Sequence, residues 1–80
     1  MNVDGVDINI DLSGVESMET EALADSHALE ELTRQAVAES FREAGLELDI
    51  NIESHQEAYR QALFHCRMIA KQVIAERGEG

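Results

Sequence analysis

Two stretches of this chain place an oxygen-bearing side chain at every second position: Asp7-Ile8-Asn9-Ile10-Asp11 and Asp49-Ile50-Asn51-Ile52-Glu53. An Asp-x-Asn-x-Asp spacing is how a calcium loop begins. Such a loop needs glycine at its sixth position, for the sharp turn, and a bidentate glutamate at its twelfth. The first stretch has Leu12 and Met18 there, and the second has Ser54 and Arg60. Neither is a calcium loop. Other metal or nucleophile chemistry meets similar obstacles. The histidines are His27, His55 and His65, with Cys66 beside the last. On a helix, neighbouring residues point about 100° apart, so His65 and Cys66 cannot share a ligand or form a thiol–imidazole pair. Cys66 falls in an apolar stripe and reads as core. No glycine spacing suits a phosphate, and no pair of acids is isolated in an apolar setting. The chain is therefore expected to be no enzyme, and to carry no metal or other cofactor.

One further spacing stands out. Arg60, Phe64, Arg67 and Lys71 recur at intervals of four, three and four, so on a helix they share one face, widened by Met68. This is the only basic strip in the chain. Three roles are open to it: pairing with the chain's own acids while Phe64 adds to the core, contact with a second subunit, or, least favoured in so negative a field, binding phosphate.

The elements that must position these groups follow from periodicity. Val6, Ile8, Ile10 and Leu12 alternate with polar residues, as do Leu46, Leu48, Ile50 and Ile52. Period two with β-branched residues predicts half-buried strands over 5–12 and 46–53. Ser13 and Glu16 have a capping-box spacing that introduces a short helix or turn over 15–24. Leu29, Leu32, Ala36, Val37, Phe41 and Ala44 form the stripe of a helix over 26–44, capped by Asp25 or Ser26 and ended by Gly45. Ser54 and Glu57 again have a capping-box spacing, before a helix over 55–77. Its apolar face is Tyr59, Ala62, Leu63, Cys66, Ile69, Ala70, Val73 and Ile74. The expected fold is a single α+β, or small α/β, domain of order β-α-β-α, with two amphipathic strands backed by two helices. That pairing sets Asp7 and Asp11 close to Glu47, Asp49 and Glu53 on one sheet face. Like charges so placed cost stability, which suggests that something uses them.

Charge narrows the partners. The 80 residues hold 17 acids and 6 bases, a net of −11. Residues 1–33 contain nine of the acids and no base. A chain so charged does not bind nucleic acid by neutralising phosphates, and anionic membranes disfavour it, whereas a basic protein surface favours it. No stretch approaches the length of a membrane span, no signal peptide is visible at the start, and one cysteine fits a reducing compartment. A cytoplasmic protein is expected.

In size, acidity and lack of catalytic groups the chain resembles the small phage-encoded inhibitors of host defence, of the anti-CRISPR and anti-restriction type. The resemblance is one of class and covers no motif, so no family residue carries over. It implies a protein-binding inhibitor, acting in the host cytoplasm, whose acids occupy a nucleic-acid-binding site on its partner. Carboxylates on alternate strand residues stand about 7 Å apart, near the spacing of phosphates along a DNA strand, which suits that role. The alternative is a non-enzymatic structural or assembly module, such as a subunit of a phage particle or of a cytoplasmic complex. In that case the acids serve solubility, and the Arg60–Lys71 strip joins copies as a homodimer or larger oligomer.

Overall fold

The computed structural model describes residues 1–78, and its architecture is helical. In order come β1 (Asn2–Val3), β2 (Val6–Asp7), a 3₁₀ turn (Ser13–Ser17), α1 (Thr20–Leu23), α2 (Ser26–Glu43) and α3 (Glu53–Gly78). The expectation of a β-α-β-α domain with two long amphipathic strands is overturned. The only sheet among the described residues is an antiparallel hairpin, Asn2 opposite Asp7 and Val3 opposite Val6. Its two-residue turn is Asp4-Gly5, and both residues have positive φ, 52° and 84°. That is the geometry of a type I′ turn, whose twist matches that of the flanking strands.

The stretch predicted as the first strand therefore pairs only at its start, and with residues before it. Beyond Asp7 the chain runs on without regular structure. Ile8 exchanges bonds with Met1 through both its amide and its carbonyl, and Ile8 and Leu12 point into the core. The stretch predicted as the second strand is not a strand. Residues 46–49 form an irregular connection, 50–51 a turn, and Glu53 already belongs to α3. Period two marks a segment that buries alternate residues, but a strand also needs a partner. Here Leu46 and Leu48 pack against the core from a loop.

The two long helices match their predicted spans closely, because local signals define them. Asp25 caps α2, its carboxylate accepting from the His27 amide at 3.0 Å. Gly45, at φ 83°, ends α2 where a side chain would be strained. The two capping boxes expected from the sequence do not form. Ser13 opens a 3₁₀ turn that has no side-chain cap, and Ser54 lies inside α3, bonded elsewhere.

α2 and α3 pack antiparallel. Phe41, near the end of α2, meets His55 near the start of α3, and Leu29 at the other end shares a cluster with Cys66 and Ala70. The buried positions of α3 beyond its first turn are Ala58, Ala62, Cys66 and Ala70, all small, so the helices approach closely. α2 supplies the bulk with Leu29, Val37 and Phe41. Its buried hydroxyls bond to its own previous turn, Thr33 to the Leu29 carbonyl and Ser40 to that of Ala36. The hairpin covers one end of this pair through Val3 and Ile8. The 3₁₀ turn and α1 cover the other through Val15 and Leu23. Full burial of Phe41 alone contributes roughly 2–3 kcal/mol. The molecule is a rod of 43 × 19 × 15 Å.

Candidate protein-binding surfaces

Sequence reasoning passed over the most organised polar cluster. The imidazole of His55 is buried. Its Nδ1 lies 3.0 Å from the backbone amide of Asp49 and its Nε2 lies 3.2 Å from Oδ2 of Asp4. An amide can only donate, so Nδ1 is the acceptor, and Nε2 carries the proton given to Asp4. The other oxygen of Asp4 accepts from the Ser54 hydroxyl at 2.7 Å. The Phe41 ring meets the imidazole edge to face at 4.8 Å between centroids. His55 thus ties together the hairpin turn, the 46–52 connection and the start of α3. A signal for it existed in the sequence. Val3-Asp4-Gly5-Val6 has the form of a hairpin turn, and that turn is what lifts Asp4 onto α3.

Serine, histidine and aspartate in one cluster invite comparison with a nucleophilic triad. The connections differ. Ser54 donates to the aspartate and not to the histidine, and both imidazole nitrogens are already engaged. The imidazole is not placed to take the Ser54 proton, so the serine–histidine link of a triad is missing and the cluster ties chain segments together. Among the described residues no group of three or more His, Cys, Asp or Glu side chains is arranged to hold a metal ion.

The five acids expected on one sheet face do not share one, because the second strand does not form. All five are exposed, but each sits differently. Asp7 lies 3.3 Å from the Met1 ammonium. Asp11 accepts from the Ser13 amide at 3.0 Å, and Ser13 holds its carboxyl below the ordinary aspartate range, through its hydroxyl first and then its amide. Asp49 caps the turn by accepting from the Asn51 amide at 2.9 Å. Glu47 and Glu53 make no ion pair or side-chain hydrogen bond among the described residues. The 7 Å ladder of carboxylates expected from paired strands is therefore absent.

What the fold produces is a surface on which most carboxylates have no ion-pair partner among the described residues. Eleven acids make no ion pair among the described residues: Asp11, Glu16, Glu19, Glu21, Asp25, Glu39, Glu43, Glu47, Asp49, Glu53 and Glu76. They are spread over the segment after the hairpin, the 3₁₀ turn, α1, α2 and its N-cap, the connection after α2, and both ends of α3. Asp11, Glu39 and Glu43 line one shallow polar groove with Gln35 and Ser40. Arg77, a base at the far end of α3, makes no ion pair with them among the described residues, and its charge offsets only the acids beside it. Its guanidinium is spent on the carbonyls of Glu16 and Met18 and on the Thr20 hydroxyl.

The basic strip lies together as expected, on the outer side of α3. Phe64 is 68% exposed and Met68 56%, so Phe64 is not extra core. Arg67 lies 3.7 Å from Glu30 of α2 and Arg60 lies 3.8 Å from Glu57, one turn earlier on α3. Lys71 has no ion-pair partner among the described residues. The two apolar side chains form a ridge between two grooves. One, of about 810 Å³, is bounded by Ile8, Ile10 and Leu12 on one side and by Arg60, His65 and Ile69 on the other. The second runs toward Leu23 and Leu29 and is edged by Arg67 and Lys71. Cys66 is fully buried and belongs to the core.

No helix among the described residues is long and apolar enough to cross a membrane. Compared with known proteins, the chain matches no family model, no curated protein and no solved structure.

Proposed function

We propose that this chain is a non-enzymatic inhibitor that works by binding protein, seating its acidic surface in a basic site where a partner holds nucleic acid. It acts in the cytoplasm, in the manner of the anti-CRISPR and anti-restriction proteins it resembles. The observation that carries this reading is the run of unpaired carboxylates along a 43 Å rod. At 3.4 Å per nucleotide along one strand, that length corresponds to roughly a dozen phosphates. Most of these carboxylates stand on backbone that is already folded when the partner arrives, so the ordering left for binding is mainly that of their side chains.

The test uses glutamates that hold nothing in the fold. Asp7, Asp11 and Asp49 each bond to the terminus or to a backbone amide, so replacing them confounds charge with structure. Glu16, Glu39, Glu43, Glu47 and Glu53, changed together to glutamine, remove charge at constant shape. Each change alone alters binding by less than about 1 kcal/mol, and the five together cost several. The partner's own DNA or RNA competes with the wild type, and affinity falls with salt, mostly through the on-rate. A folded five-fold variant that binds the isolated partner as tightly as wild type overturns the reading.

The exposure of Phe64 and Met68 favours a second reading, a structural or assembly module. Side chains this apolar, side by side on a 26-residue helix and rimmed by cations, form a contact surface in want of a partner. The check is the mass in solution, which on this reading exceeds that of one chain and returns to it in Phe64→Glu.

A further inference from the structure

The chain has a second exposed apolar patch, and its charge is opposite to the first. Ile50 is 61% and Ile52 41% exposed, at the turn that leads into α3. Around them stand Glu47, Asp49 and Glu53, with Arg34 and Arg42 of α2 across the groove from the first two, Arg34 being paired with Glu31. The first patch, Phe64 and Met68, is rimmed by Arg60, Arg67 and Lys71. From the geometry we infer that copies of this chain join head to tail, the Ile50–Ile52 turn of one resting on the Phe64–Met68 ridge of the next. The inference rests on the assembly reading of the α3 strip and names the surface that covers it.

Two physical reasons select this arrangement over a symmetric one. Strip against strip sets Arg60, Arg67 and Lys71 of both copies together, whether the helices run parallel or antiparallel. Like charges around an apolar centre repel where water is being removed. Turn against strip instead brings Glu47, Asp49 and Glu53 to those cations, while Ile50 and Ile52 leave water against Phe64 and Met68. The long, exposed pairs of Arg67 with Glu30 and of Arg60 with Glu57 are cheap to rearrange. The two patches are also well separated. About a dozen residues of α3 lie between Ile52 and Phe64, roughly 18 Å at 1.5 Å per residue, so one copy cannot satisfy both on itself. A contact between two different patches is heterologous, and it leaves a free patch at each end for further copies. Resting on four apolar side chains, it belongs with the small, transient interfaces and forms at high protein concentration.

The experiment is complementation between two variants. Phe64→Glu with Lys71→Glu disables the ridge and keeps the turn. Ile50→Lys with Glu47→Lys disables the turn and keeps the ridge. All four positions are exposed, and circular dichroism checks that helix content is unchanged. Masses are read by light scattering from micromolar to millimolar protein. The expected result is that wild type grows beyond a dimer with concentration, each variant alone stays monomeric, and the mixture forms a one-to-one dimer that grows no further. Weakening of that dimer by salt belongs to the same expectation. If wild type associates but the turn variant associates equally well, the head-to-tail contact is overturned and a symmetric contact through α3 stands. A mixture that stays monomeric while wild type associates overturns the head-to-tail contact and the symmetric one alike. A wild type that is monomeric at millimolar concentration overturns both the contact and the assembly reading. If either variant loses helix, the single exchanges Lys71→Glu and Glu47→Lys, which touch only the rims, are mixed in its place and judged by the same outcomes.

Discussion

The Nε2 of His55 lies 3.2 Å from a carboxylate oxygen of Asp4, 51 residues away in sequence, a polar tie between the N-terminal hairpin and α3 beside the packing of Val3 and Ile8. The same ring takes the Asp49 amide on its other side and leans on Phe41. His55→Ala leaves that amide short of a partner and opens a cavity beside Phe41, for a cost of about 2–4 kcal/mol. Asp4→Ala removes one end of the tie and puts an alanine at positive φ, costing about 1–2 kcal/mol. Urea denaturation of both variants measures this. An unchanged midpoint for His55→Ala would show that the hairpin is not held through the ring.

Salt should stabilise the fold. Net −11, with eleven acids lacking an ion-pair partner among the described residues, means repulsion within the native state. At 0.1 M salt the screening length is about 10 Å, short against a 43 Å rod. Thermal melts are expected to rise from low to near-molar sodium chloride. A Tm that stays level or falls would mean that local ion pairs outweigh the general repulsion.

Two side chains give opposite edges of the pH profile. Ser13 holds the Asp11 carboxyl below its ordinary value, so the folded state favours the charged form. Its contribution is present above the unfolded-state pKa and is lost as pH falls through the folded one. Tyr59 is raised by burial first and by Glu30 next. Its contribution is present below the unfolded-state pKa of the phenol and is lost as pH rises through the folded one. Carboxyl NMR for Asp11 and ultraviolet absorbance for Tyr59, each compared with the chain in urea, are expected to show these two displacements. A Ser13→Ala variant should shrink the Asp11 displacement and leave Tyr59 as it was.

Arg77 closes the other end of the rod. Its guanidinium spans the Glu16 carbonyl at 2.9 Å, the Met18 carbonyl at 2.8 Å and the Thr20 hydroxyl at 3.2 Å. A lysine ammonium is a single point and cannot span these three acceptors. Arg77→Lys is expected to cost about 1 kcal/mol and to raise hydrogen exchange in residues 15–20 while the middle of α2 stays protected. Unaltered exchange there would mean that Val15 and Leu23 hold the turn without the arginine.

The helices were legible because their signals are local. The Asp25 cap, the stripe from Leu29 to Phe41, the glycine after α2 and the apolar face of α3 lie within a few residues of the structure they cause. The Asp4-Gly5 turn was equally local and equally readable. The alternating rhythm that starts just after it drew the strand too far forward. The members of the basic strip were legible as one helix face. Whether Phe64 on that face was core or surface was not, since that depends on what packs against α3. The clearest division lies in the tetrapeptide Asp-Ile-Asn-Ile, written twice. In its first copy Ile8 is buried, because the hairpin turn returns the chain along β1, both backbone groups of Ile8 bond to Met1, and its side chain is set over the helices. In the second copy Ile50 and Ile52 are exposed, because the chain turns at Asn51 to enter α3 and meets no partner strand. The four residues specify the same alternation in both places. Burial depends on which distant segment lies alongside, and that information is not contained in the four residues themselves.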